Sequence, residues 1–297
     1  MIKILLLASA LLLLSCSDKL EQNPMLWEIK GKGLKATSYL FGTFHTRDKV
    51  INLIPNIVSN SIKKSRRFYS EIKMNKKSEM QIIRYSKLAN PIALRKRLDP
   101  KTIMLIERYI KNIGSKINLK QLSRFKTWAI PLILSSQEDS IKYPNRKFMD
   151  EKLIDIAKKF KVKLAGLESI QEQLQHFEEL SKKEQELLNV FSIKEMMDIK
   201  HKKSLVAWYK KGNIEGFFEI QNKFISKNPG FKELAKKLNI GLLEKRNKIF
   251  TRRINILLQD KPHFSYFFAL GAGHLVGKSG ILEQLKLLGY KVKKVNN

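Results

Sequence analysis

The stretch that decides the fold is Phe264-Ser265-Tyr266-Phe267-Phe268-Ala269-Leu270-Gly271-Ala272-Gly273-His274. Seven mostly apolar residues read as a buried strand, a glycine-rich turn ends it, and an imidazole follows. Beyond the turn, Gly280–Leu288 has the pattern of a short amphipathic helix closed by Gly289, and 290–295 reads as a final strand. The same strand, glycine turn and imidazole recur near the other end, in Ser38-Tyr39-Leu40-Phe41-Gly42-Thr43-Phe44-His45. Two of only five histidines thus share one local context. Glycine lets the chain turn sharply where a strand ends, so the following polar side chain projects over the sheet edge, where open α/β sheets bind ligands.

Between these elements the pattern alternates. Trp27–Lys30 and Ser38–Phe41 flank Gly31-Lys32-Gly33 as a hairpin, a helix follows Pro55, and Arg67–Ile72 is a strand. Helical periodicity covers segments near 78–89, 100–113, 119–135 and 149–160, punctuated by Pro91, Pro100, Gly114 and Pro144. Lys161–Leu167 is a strand, and 169–258 is again helical with breaks at Gly212 and Asn228-Pro229-Gly230. The fold class is therefore α/β: a mixed sheet core with two Gly-x-x-His strand–turn elements and a large helical insertion. One domain over 24–297 accounts for this better than two independent ones.

The first residues stand apart. Lys3 precedes the apolar run Ile4–Leu14, too short to span a bilayer and suited to a secretory signal over 1–15. It ends Leu13-Leu14-Ser15-Cys16, and Cys16 is the only cysteine. Leu-x-Ser-Cys resembles the bacterial lipobox, so Cys16 is the expected lipidation site and 16–23 a polar tether. A single thiol leaves no intramolecular disulfide and no cysteine-rich metal site. The expected location is the cell envelope, and uncharged Ser17 favours the outer membrane over the inner where two exist.

Net charge is +31, and loss of 1–15 removes only Lys3. The lysines are dispersed and not interleaved with aromatics, which argues against nucleic acid. Dispersed lysine also fits a compositional origin, while for an anchored protein it fits an anionic membrane surface as partner.

Polar groups stand at four strand ends: His45, Glu71, Glu168 and His274. If these strands are parallel neighbours, the four converge on one edge. Two imidazoles with a carboxylate make a divalent-metal set, here His45, His274 and Glu168, and a carboxylate outside the set is a general base. Plainer readings stand beside these: Glu71 as a surface ion pair, Glu168 in the first turn of the next helix, Asp150 as a cap of helix 151–160. His176, His201 and His263 read as solvent-facing. Ala272–Ser279 imitates a phosphate-binding loop, but too little chain follows it and 290–295 offers no acid for magnesium.

These residues resemble the TraB/PrgY/GumN family. The resemblance rests on Ser38–His45, Phe148-Met149-Asp150, Leu164–Glu168, Arg246-Asn247 and above all Gly271–Gly277 with Gly280-Ile281-Leu282, Leu285 and Gly289-Tyr290-Lys291-Val292. It implies an α/β core with pseudo-symmetric Gly-x-x-His elements and kinship with the Tiki proteins, membrane-anchored metalloproteases that use manganese or cobalt. By that resemblance His45 and His274 are metal ligands or acid/base groups, Glu71 is the catalytic carboxylate, and Arg246 stabilises an anion. The expected cofactor is a divalent metal (manganese, cobalt or zinc), and the expected function is hydrolysis of a peptide or related amide. The family usually carries two acids near Glu71, whereas this chain has Glu71-Ile72-Lys73. That departure keeps a second reading open, a non-catalytic lipid-anchored module that captures a signalling peptide or anionic partner.

Overall fold

The computed structural model describes residues 23–48, 51–212 and 214–295. The expected signal, Cys16 and all but the last residue of the expected tether lie outside the described residues. Among the described residues no helix is long and apolar enough to cross a membrane.

Six strands form one sheet: β1 (Leu26–Lys30), β2 (Ser38–Thr43), β3 (Arg67–Ser70), β4 (Lys163–Gly166), β5 (Tyr266–Gly271) and β6 (Lys291–Lys294). Their order is β4-β3-β5-β2-β1-β6. β4, β3, β5 and β2 run parallel, while β1 and β6 are antiparallel additions at one side. β5 sits among the parallel strands because its run of aromatics can be buried on both faces; Phe267 and Phe268 are inaccessible. The β1–β2 turn needs left-handed backbone at Gly31, Lys32 and Gly33 (φ 81°, 48° and 79°), which explains the two glycines.

The parallel strands are joined through helices, as parallel pairing requires. Asn56–Lys64 links β2 to β3, and Met149–Lys159 leads into β4. Most of the helices between 76 and 238 make a lobe with its own apolar core around Trp128, Ile106, Leu122 and Leu134, distinct from the cluster on the sheet, which takes in the helices Ile199–Lys210 and Arg246–Asp260.

Two boundaries differ from expectation. The helix expected over 119–135 is broken: Leu119–Leu122 ends, and a new helix, Ile130–Lys142, begins with Pro131 in its first turn. Proline lacks an N–H and fits a helix start, not its interior. The stretch after 169 breaks more often than the glycines indicate, as Ser169 and Ser181 each close a reciprocal cap with a glutamate three residues on.

Candidate functional site

Each of the four polar groups leaves the sheet within three residues of its strand's end, on the edge shared by the parallel strands. Thr43 and Gly271 are register partners, so the two glycine turns lie side by side. Their packing is tight: a Cβ on Gly42 would stand 3.2 Å from Ala272 Cβ, Leu275 Cδ2 and Met25 Cβ, so those neighbours would have to give way. On the other side, backbone pairing continues past the strands, with Leu167 N–H donating to Ser70 O (2.9 Å) and Glu168 N–H to Glu71 O (2.8 Å). That ladder holds Glu71 and Glu168 next to each other. It also brings Gly166 so close to Lys73 N that a Cβ there would lie at 2.4 Å.

Arg246 sits between them, 3% exposed. It opens the helix Arg246–Asp260, directly after a π-helical segment, Asn239–Lys245. From there its Nη1 reaches back to donate to Leu242 O at 2.9 Å. Nη1 also donates to His274 Nε2 (3.1 Å), Nη2 to Glu71 Oε2 (2.8 Å) and to Glu168 Oε1, and Nε to Glu168 Oε2 (3.1 Å). A guanidinium has five N–H donors, and all five are engaged.

The rest of the cluster follows from this. Glu71 accepts from Gly271 N–H (2.8 Å) and Gln173 Nε2 (2.9 Å) besides Arg246. Burial alone would raise its pKa, but Arg246, and then His274 and Gly271, outweigh it and hold the carboxyl below its ordinary range. Glu168 goes the other way: burial, reinforced by the Glu71 charge, pushes it up to about 7 against the pull of Arg246. Of two carboxylates on one guanidinium, Glu71 thus keeps the negative charge. His274 is 3% exposed, and burial followed by the adjacent Arg246 charge lowers it to about 3, so it is neutral. Its Nδ1–H donates to Asn247 Oδ1 at 2.6 Å and its Nε2 accepts from Arg246, which sets the tautomer.

His45 has different neighbours. Its Nδ1 lies 3.0 Å from Asp150 Oδ2, and its ring stacks on Phe148 at 4.0 Å. Sequence reasoning assigned Asp150 to a helix cap. The cap position is Phe148, and Asp150 instead reaches His45 across 105 residues of chain. No local signal marks that pairing. His45, Asp150, Glu71, Arg246 and His274 all line one cavity of about 710 Å³.

The expected metal set of His45, His274 and Glu168 does not form one donor group here. Glu168 is committed to Arg246, both nitrogens of His274 are taken, and His45 turns to Asp150. Among the described residues no three of His, Cys, Asp or Glu are arranged to hold a metal ion. Arg246, with every donor used, holds carboxylates in this arrangement and not a substrate anion.

Of the histidines expected at the surface, His263 is exposed, but His201 is 6% exposed and paired with Glu195 at 2.9 Å. His176 is partly buried, its side chain packed near Gly241. His201 lies beside a second buried charged group in the helical lobe. There Lys202 Nζ donates to Glu138 Oε1 (3.0 Å) and Tyr109 OH to Glu138 Oε2, and Asp139 is raised to about 7 by burial and by Glu138.

The fold and site define an α/β protein with an acid–base cluster at the carboxyl edge of four parallel strands. The TraB/PrgY/gumN family profile matches residues 25–294, and the chain belongs to that family. It is 22% identical over 316 residues to Metalloprotease TIKI1 of Danio rerio, covering 91% of this chain and 63% of that protein. With Metalloprotease TIKI2 of the same fish it shares 23% over 318 residues, 92% of this chain and 61% of the relative. A shorter match, 38% over 61 residues, links it to Metalloprotease TIKI1 of Homo sapiens, over 20% of this chain and 12% of that protein. The chain spans less than two thirds of the length of the two fish proteins. No solved structure matches it significantly.

Proposed function

We propose that this protein hydrolyses peptide or related amide bonds in the cavity that His45, Glu71 and His274 line. The observation that carries the proposal is the His45–Asp150 pair lining the same cavity as the Arg246 cluster. The relatives named metalloproteases support the reaction class. A carboxylate on one imidazole nitrogen fixes its tautomer and supports the cation that forms when it takes a proton. Glu71 is a weak base, since three donors, one of them the Arg246 cation, stabilise its charged form. The proton-carrying role therefore moves from Glu71 to His45. Water adds to the amide carbon while His45 takes its proton; the C–N bond then breaks, and the proton passes to the leaving amine. Glu71 and Arg246 brace the edge, and neutral His274 completes it. No step runs through a metal, because the donors present are committed elsewhere.

We place the protein in the cell envelope, anchored through a lipidated Cys16, in the outer membrane where there are two. Its lysines would face anionic headgroups.

The second reading, capture without catalysis, is favoured by one observation: every Arg246 donor is spent inside the protein, three of them on the two carboxylates. Incubating the purified full chain with a quenched-fluorescence peptide library and with acyl anilides, with and without manganese, cobalt or zinc, separates the two. Hydrolysis should occur, fall by about two to four orders of magnitude in kcat for His45→Gln, and fall less for Asp150→Asn. Ligands of both kinds bound but never cleaved under any metal condition would leave only capture.

A further inference from the structure

The cavity behind the acid–base edge is far larger than an amide group needs, and most of its wall is apolar. Leu132, Phe177, Leu188 and Phe191 line it from the helical lobe, Phe218 from the helix Phe217–Lys227 and Leu242 from the π-helical segment. Its volume, about 710 Å³, is in the range that encloses most of a drug-sized ligand. Concave apolar surface of this extent is unfavourable against water and calls for an apolar occupant.

A peptide fits that wall poorly. Each of its residues brings an N–H and a C=O that must find partners once buried. Polar residues reach the lining too, Gln221, Asn222, Lys232 and Asn239 among them, but apolar surface outweighs them and two others are taken: Gln173 donates to Glu71, and Glu195 is paired with His201. A methylene chain asks for none. The strand-end residues supply polar chemistry at one part of the cavity, and the helical lobe supplies an apolar wall in the same space.

We propose that the substrate is a fatty-acyl amide, its acyl chain lodged against the helical lobe and its amide presented to His45. This rests on the hydrolase reading for the reaction, but the acyl subsite is tested without it. Straight-chain fatty acids, from four to twelve carbons, are titrated into the purified full chain and binding is followed by calorimetry. Each added methylene should tighten binding about threefold to fourfold until the cavity is filled. Phe218→Asp places a charge on a side chain that is 36% exposed, so folding is spared, and it should flatten the series. Leu188→Asn should do the same from another helix of the lining, with near-parent circular dichroism confirming the fold. Affinity independent of chain length overturns the proposal, and so does a polar-capped hexapeptide of leucine and phenylalanine that binds as tightly as the twelve-carbon acid. Acyl anilides of the same lengths then test turnover. A chain-length series in binding with no anilide cleaved upholds the subsite and removes the hydrolase reading instead.

Discussion

Replacing Arg246 with methionine tests the electrostatic logic of the site directly. The side chain is 3% exposed and holds two carboxylates at once, one of them Glu168, whose own side chain is 2% exposed. Methionine matches its length but leaves both acids buried without a counter-charge. Breaking one partner of a buried ion pair costs about 3–5 kcal/mol near neutral pH. The loss should depend on pH, with a sign set by the shifts. In the parent, Glu71 is held below its ordinary range, so its contribution is present above the unfolded pKa and disappears as pH falls through the folded one. In the variant both acids are raised, so folding takes up protons and stability falls as pH rises. The gap between parent and variant therefore widens from pH 5 to 8, by up to about 1.4 kcal/mol per pH unit for each acid whose proton count differs. Urea unfolding followed by tryptophan fluorescence at both pH values measures it. Arg246→Lys should recover only part of the loss, because one ammonium cannot span both carboxylates and His274. An equal loss at pH 5 and pH 8 would refute the argument, since it would show packing, not charge, to be what Arg246 supplies.

Asp139, raised to about 7 by burial and Glu138, gives an independent pH test. Its carboxyl keeps a proton on folding that the unfolded chain loses near 4, so it opposes stability increasingly from pH 4 to 7; Asp139→Asn should gain on the parent over that window, by up to about 1.4 kcal/mol per unit in urea unfolding, and a constant difference would count against it. Gly166→Ala would drive a methyl to 2.4 Å from Lys73 N, so β4 must shift and carry Glu168 off Arg246. A loss of about 1–3 kcal/mol is expected, and a thermal midpoint equal to the parent's would show that the ladder yields freely.

How much of this could be read beforehand depends on the range of the interaction. β5 and the hairpin were legible because burial of both faces, and left-handed turn positions, leave local marks in composition. The convergence of His45, Glu71, Glu168 and His274 on one edge followed from placing each at a strand end, and the sheet order supplies the parallel neighbours. What was illegible is pairing. Asp150 looks like any acid in a first helical turn, and only tertiary packing brings it to His45. His201 and Lys202 sit in a charged stretch, yet both are buried, because Glu195 and Glu138 meet them from other helices. Arg246 was singled out by resemblance to a family, with a role toward a bound anion. That its five donors are spent inside the protein is a matter of geometry that spacing does not encode. Pro131 is a local mark of the helix start at Ile130, since a helix can begin at proline but cannot run through it.

The π-helical segment ahead of Arg246 has a consequence for how this chain tolerates change. Its seven residues set the rotational phase at which the next helix starts. Removing one would turn every later side chain by about 100° around the axis, swinging the guanidinium away from both acids and Asn247 away from His274. Point substitutions at solvent-facing places in 239–245 leave that phase untouched. Descendants of this sequence can therefore vary the letters of the segment far more freely than its length.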